Sequence, residues 1–185
     1  TCFYHVFNRA VGTDKFYHTA ENYRSFLKKY VKFISPIADT FAYCLMPNHF
    51  HFLIRIKPEE ELETLTGFGT LSGLLDQEKL ANKLSLKFSH LFNAYAQAVN
   101  KQQNRRGGLF TRPFKNKKIE SDQHLKRCVI YIHNNPVKAN LTRDVLSWPH
   151  SSYRKIVANE NEIIKANEVM GWFEDVENFE YCHRG

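Results

Sequence analysis

Cys44-Leu-Met-Pro-Asn-His-Phe-His-Phe-Leu-Ile54 is the stretch on which the reading of this chain turns. Met46-Pro47-Asn48 offers the residue types of a tight turn: proline presets φ, and asparagine tolerates turn backbone. From His49 onward, side chains alternate. A strand points every second side chain to the same face, so Phe50, Phe52, Ile54 and Ile56 share one face and His49 and His51 the other. The first set is a core face. The second holds two imidazoles side by side, an arrangement suited to a metal ion. Taken alone it is a weak signal, because histidines are common on the polar side of strands.

Working outward from the hairpin, Ile37 to Leu45 reads as the strand before the turn and His49 to Ile56 as the strand after it. Cys2 to Ala10 alternates in the same way and reads as a first strand. Thr19 is placed to cap a helix whose apolar residues Tyr23, Phe26, Leu27, Tyr30, Val31 and Ile34 recur at spacings of three and four, and Ser35-Pro36 stops it. Residues 57–80 change character. Pro58 to Glu63 is acidic, and Gly67, Gly69 and Gly73 interrupt any long helix, so a loop or short helical insertion is expected. A helical stripe returns at Phe88, Leu91, Phe92, Tyr95 and Val99, within a helix over Asn82 to Gln102.

Gly107-Gly108 then reads as a turn between extended arms, and Leu109 to Ile119 offers a fourth strand. Ser121 caps a further helix, with Asp122 in its first turn and Leu125, Cys128, Val129 and Ile132 as its buried stripe. Pro136 disfavours αR at Asn135, which predicts an end or bend there. Trp148-Pro-His-Ser-Ser-Tyr153, a short helical segment after Asn161, and Trp172 to Phe179 complete a C-terminal extension over 145–185. This order predicts an α+β fold in a single domain over 1–185. An antiparallel sheet carries helices packed on one face, leaving the histidine face for a site or another helix.

Composition narrows the class. With 185 residues, 43% of them hydrophobic and 14% aromatic, the chain can bury a sizeable core. It holds no apolar run of about 18 residues, so no membrane segment is expected, and no signal-peptide pattern opens it. Cys2, Cys44, Cys128 and Cys182 are widely spaced without a CxxC, which argues against a zinc ribbon and for reduced thiols in the cytoplasm. The net charge of +7 is concentrated: Lys101, Arg105, Arg106, Arg112, Lys115, Lys117 and Lys118 fall in one stretch free of acidic residues. Such a block is an electrostatic footprint for phosphate, and equally a solvated basic hairpin.

On the Ser121 helix, Tyr131 and Asn135 lie one turn apart, and His124 falls on the same stripe. Singly, each has an ordinary explanation, as an amphipathic tyrosine and a helix-terminal asparagine. Together with the hairpin they match a pattern. Cys44 to Ile54 resembles the HUH motif of single-tyrosine transposases, in particular the REP-associated tyrosine transposase branch. Tyr131-Ile-His-Asn-Asn-Pro-Val-Lys-Ala139 resembles that family's catalytic-tyrosine helix. Tyr4-His-Val-Phe-Asn-Arg9, Gly108-Leu-Phe-Thr-Arg-Pro-Phe114 and Trp148 to Tyr153 resemble further family segments in the same order, so the resemblance runs from Tyr4 to Phe179.

The resemblance implies a ferredoxin-like or RRM-like HUH core with a separate tyrosine-bearing helix. It implies that His49, His51 and Asn135 ligate a divalent metal, Mg²⁺ or Mn²⁺. Tyr131 would attack a DNA phosphodiester, forming a 5′-phosphotyrosine link and freeing a 3′-hydroxyl. The substrate would be single-stranded DNA beside a short imperfect hairpin, with Arg9 and the basic block on phosphates. Elementary chemistry agrees, since a phenol of pKa about 10 needs activation and a cation offsets charge on phosphate. The expected setting is cytoplasmic and nucleoid-associated, as a monomer or homodimer. Phe110 and Phe114 are candidates for base stacking, although burial is the commoner fate of aromatics. Tyr153 ranks behind Tyr131 as nucleophile, and Tyr95 reads as core. The alternatives are a domesticated protein that binds hairpin nucleic acid without cutting, and a zinc hydrolase, against which the absence of HExxH counts.

Overall fold

The computed structural model describes residues 2–58, 61–62 and 77–184. In chain order its elements are β1 Phe3–Arg9, α1 Ala20–Phe33, β2 Ala38–Met46, β3 His49–Ile56, α2 Gln77–Gln102 and β4 Lys115–Ile119, then α3 Asp122–Lys138, α4 Tyr153–Val157, α5 Ala166–Phe173 and α6 Val176–Arg184. The strands form one antiparallel sheet in the order β2-β3-β1-β4, so the α+β expectation holds.

The β2–β3 hairpin closes across a Met46↔His49 pair over Pro47-Asn48. The turn is anchored from outside: Phe16 and Tyr17 amides donate to the Pro47 carbonyl at 2.7 and 3.3 Å, and the Ala10 amide donates to that of Asn48 at 2.8 Å. Thr19 caps α1 in a capping box with Asn22. Phe50, Phe52 and Ile54 are fully buried against α1 and α2. There Tyr30 stacks on Phe52 at 4.1 Å, and Phe26 and Phe92 meet Phe50 at 5.5 and 5.7 Å.

Helices do not stop at that face. On the opposite face, beside His49 and His51, lie Ala42, Cys44 and Leu53, all fully buried, and α3 packs across β2 and β3 to cover them. The helix on the histidine face is the separate tyrosine-bearing one, as the expectation of a site or another helix there allowed. The reason is in β2: Phe41-Ala-Tyr-Cys-Leu-Met46 is a continuous apolar run, the mark of a strand buried on both sides.

Two expectations change, and a third falls mostly outside the described residues. Pro136 lies inside α3 rather than ending it, and the Ala139 amide still donates to the Asn135 carbonyl at 2.9 Å. A proline this close to the C-terminus removes little beyond the single bond to the Ile132 carbonyl, which the final turn tolerates. The basic block is not a hairpin. Lys101 sits in the last turn of α2, Arg105 and Arg106 lie in the connection after it, and only Lys115, Lys117 and Lys118 lie on a strand. Of the predicted insertion at 57–80, residues 59–60 and 63–76 lie outside the described residues, and 77–80 already belong to α2.

The C-terminal extension covers the outer edge of β2. The Leu45 amide donates to the His150 carbonyl and the Ser152 amide to that of Tyr43, each at 2.9 Å, while Trp148 Nε1 donates to the Leu45 carbonyl at 3.1 Å. This gives Trp148 to Tyr153 a structural task, since an uncovered strand edge invites pairing with other chains. β4, at the other edge, carries exposed lysines that oppose such pairing. Among the described residues no helix is long and apolar enough to cross a membrane.

Candidate active site

Strand register assembles the first part of the site. β1 lies antiparallel to β3 with Phe7↔His51 and Arg9↔His49 paired. His5, two residues before Phe7, therefore points to the same face, and its Nε2 lies 2.9 Å from His51 Nδ1. His5 was not a candidate from sequence. It belongs to the Tyr4 to Arg9 segment, and only the pairing with β3 brings it to His51.

All three imidazoles are held neutral. Burial lowers His5 and His49 to about 4 and His51 to about 3. Lys117 and His124 add to the effect on His5, Arg9 to that on His49, and His5, His49 and Arg9 to that on His51. Among the described residues no carboxylate acts on these rings, and the charges that do are positive. Neutral imidazole is the form that ligates metals.

α3 supplies the second part. Its cap, Ser121, accepts from the His124 amide at 3.2 Å, and Leu125, Val129 and Ile132 bury its apolar stripe. Tyr131 borders that stripe. Its ring meets His51 edge-on at 5.6 Å and His5 at 5.8 Å, yet it remains 41% exposed. Its hydroxyl makes no hydrogen bond among the described residues. The tyrosine helix thus packs on the histidine face with the phenol open to solvent. Lys138, a second residue not singled out from sequence, places its ammonium 5.3 Å above the Tyr131 ring. Its signal was the spacing of seven from Tyr131, two turns along one helix face.

The donor atoms suit a divalent cation. Asn48 Oδ1 can only accept, so His49 donates to it through Nδ1 at 2.7 Å and keeps its Nε2 lone pair. The contact with His5 engages His51 through Nδ1, leaving Nε2 as its outward nitrogen. Asn135, one turn after Tyr131, donates its amide Nδ2 to the Tyr131 carbonyl at 2.7 Å, which leaves Oδ1 available. Among the described residues no three His, Cys, Asp or Glu side chains form a metal-binding group.

The remaining candidates separate. Arg9 is exposed beside His49, while Lys117 stands across from His5 and Lys115 across from Phe7 on the same face. Lys118 alternates to the opposite face. Arg105 is tied into the fold through Asp14, Asn100 and the Gly108 carbonyl, whereas Arg106 is exposed and Arg112 reaches Asn93 at 3.2 Å. Tyr153 is buried among His133, Phe179 and His183, and Tyr95 is core, its hydroxyl donating to the Phe16 carbonyl. Phe110 is buried against Phe16 and Phe92, while Phe114 is half-buried.

No protein-family model matches the chain. Over 122 residues it is 30% identical to a Haemophilus influenzae protein named as a REP-associated tyrosine transposase. That match takes in 66% of this chain and 62% of the relative, so it spans less than two thirds of the relative's length. A solved structure of a REP-associated tyrosine transposase bound to a REP hairpin superposes with a TM-score of 0.59 at 16% identity, over 86% of this chain and 81% of that one. The two share a fold. Over those 122 residues the chain is similar in sequence to one REP-associated tyrosine transposase, and it shares its fold with another.

Proposed function

We propose that the protein is a hairpin-DNA-binding transposase that cuts and rejoins single-stranded DNA through Tyr131. The observation that carries this reading is the exposed Tyr131 phenol, edge-on to His51 on a positively charged face. A protein that only held DNA would have no need of an open phenol beside buried neutral imidazoles. In the reaction, Tyr131 Oη attacks a backbone phosphorus and loses its proton, a P–Oη bond forms, and the P–O3′ bond breaks. The departing 3′ oxygen takes up a proton to become a hydroxyl. Because the phosphotyrosine is an ester like the bond it replaced, a 3′-hydroxyl can reverse the step without ATP.

Lys138, above Tyr131, and Arg9 and Lys117, beside the histidines, would hold phosphate oxygens. A divalent cation on His49, His51 and Asn135, Mg²⁺ or Mn²⁺, would offset charge developing on the phosphate. His5 would orient His51 for that ligand role. The substrate is proposed from the fold neighbour, which is bound to a REP hairpin. The test is to mix the protein with labelled hairpin oligonucleotides and Mn²⁺ and look for a denaturant-resistant protein–DNA adduct. Tyr131→Phe should abolish it and Tyr153→Phe should keep it in the folded fraction. An adduct that survives Tyr131→Phe would end the proposal.

A further inference from the structure

Behind the sheet, on the face away from Tyr131, a cavity of about 820 Å³ opens between α2 and residues 107–116. That size is typical of small-ligand sites, which run from about 300 to 1,000 Å³. Its floor is apolar and aromatic, from Val6, Phe92 and Phe114. Its α2 wall is a ladder of hydroxyls and amides at one-turn spacing: Ser85, Ser89, Asn93 and Gln97. Asn116 and Arg112 face it from the other side, and none of the described lining residues is acidic. Among the described residues the side chains of Gln97 and Asn116 make no hydrogen bond. Amides, hydroxyls and an arginine around an aromatic floor are the groups that stack on bases and read their edges.

The cleft is connected to the catalytic face by charge. β4 is the sheet edge, and its exposed lysines alternate across it. Lys117, opposite His5, and Lys115, opposite Phe7, face the Tyr131 side, while Lys118, opposite Tyr4, faces the cleft side with Asn116. None of these lysines forms an ion pair among the described residues. A strand of DNA leaving Tyr131 past His5 can cross this edge with phosphates on lysine at both faces.

We propose that this cleft binds unpaired bases of the DNA strand that the Tyr131 site engages, a proposal that rests on the reading of that site as DNA-binding. The bases insert between the α2 ladder and Phe114, displacing the Arg112–Asn93 contact, and their edges meet Gln97 and Asn116. The cleft thereby adds affinity for the single-stranded flank of a hairpin rather than for its stem.

The test measures equilibrium binding of the full chain to a fluorescein-labelled hairpin with a mixed-sequence single-stranded flank, and to the same hairpin without it. The flank should tighten binding by about tenfold or more. The double variant Gln97→Glu, Asn116→Asp, at two solvent-facing positions, should lose that gain while binding the blunt hairpin as before. With 4-thiothymidine in the flank of the unaltered protein, photo-crosslinks should map to the α2 wall or to 107–116. Equal affinity for both hairpins, equal weakening of both by the variant, or crosslinks confined to the histidine face would each overturn the proposal. The readout is binding, so a missing covalent adduct would sink the cleavage reading while leaving this result to stand or fall separately.

Discussion

His5 Nε2 lies 2.9 Å from His51 Nδ1, so an imidazole of the first strand orients one on the third. In the arrangement that leaves His51 Nε2 bare, His51 donates through Nδ1 and His5 accepts. His5 would then act on a metal held by His51 without touching it. His5→Ala should weaken Mn²⁺ binding by about 10- to 100-fold, as loss of a ligand's hydrogen-bond partner does elsewhere. His5→Gln, which offers an amide oxygen to the same N–H, should recover part of the loss. Titration calorimetry measures both, and an unchanged affinity in His5→Ala would remove His5 from the site.

Acid should destabilise the fold over a defined window. Burial depresses His5, His49 and His183 to about 4 and His51 to about 3, and it also lowers His133. In the unfolded chain each titrates near 6.5. Between these values the unfolded state binds more protons, so stability rises with pH across the window and is fully present above about 6.5. Urea midpoints should be flat from about pH 7 upward and fall steadily from about pH 6.5 towards 4. A flat profile through pH 5 would show that these rings protonate in the folded protein without penalty.

Ser152 closes a chain of hydrogen bonds that locks the C-terminal helix to the tyrosine helix. His183 Nδ1 donates to the Phe179 carbonyl at 2.7 Å, so its Nε2 accepts from His133 Nδ1 at 2.9 Å. His133 Nε2 is then left to accept from the Ser152 hydroxyl at 2.8 Å, while that oxygen accepts the Tyr43 amide at 2.8 Å. Ser152→Ala strands a buried donor and a buried acceptor and should cost about 2–4 kcal/mol in chemical denaturation. A loss under about 0.5 kcal/mol would mean that the groups find other partners.

Salt dependence should divide the basic block. Lys115 and Lys117 are exposed on the histidine face, whereas Arg105 is committed to Asp14 and Asn100. Lys115→Gln and Lys117→Gln should each reduce the slope of log K against log salt for single-stranded DNA by about 0.7. Arg105→Gln should leave the slope unchanged and lower the melting temperature. The reverse pattern would move the DNA path away from β4.

Much was legible along the chain because it is local. Alternation over His49 to Ile56 separated the histidines from the core side chains, and the structure keeps that separation. Thr19 and Ser121 cap helices where hydrogen-bonding side chains before an apolar stripe should place them. The unbroken apolar run of β2 carries the sign that a helix covers the histidine face, which alternation in β3 alone left open between a site and another helix.

By itself the sequence determined the hairpin, the facing of His49 and His51, the helix bearing Tyr131 and Asn135, and the family resemblance that joined them. Tertiary structure alone decided that His5 meets His51, that Arg105 is a structural tie while Lys117 faces the site, and that Tyr153 is buried while Tyr131 stays open. The division has a physical cause. Periodicity and capping depend on neighbours a few residues away, whereas cross-strand register and helix placement depend on how the whole core packs. His5 and His51 are 46 residues apart, and nothing in either segment read separately shows that they share a hydrogen bond.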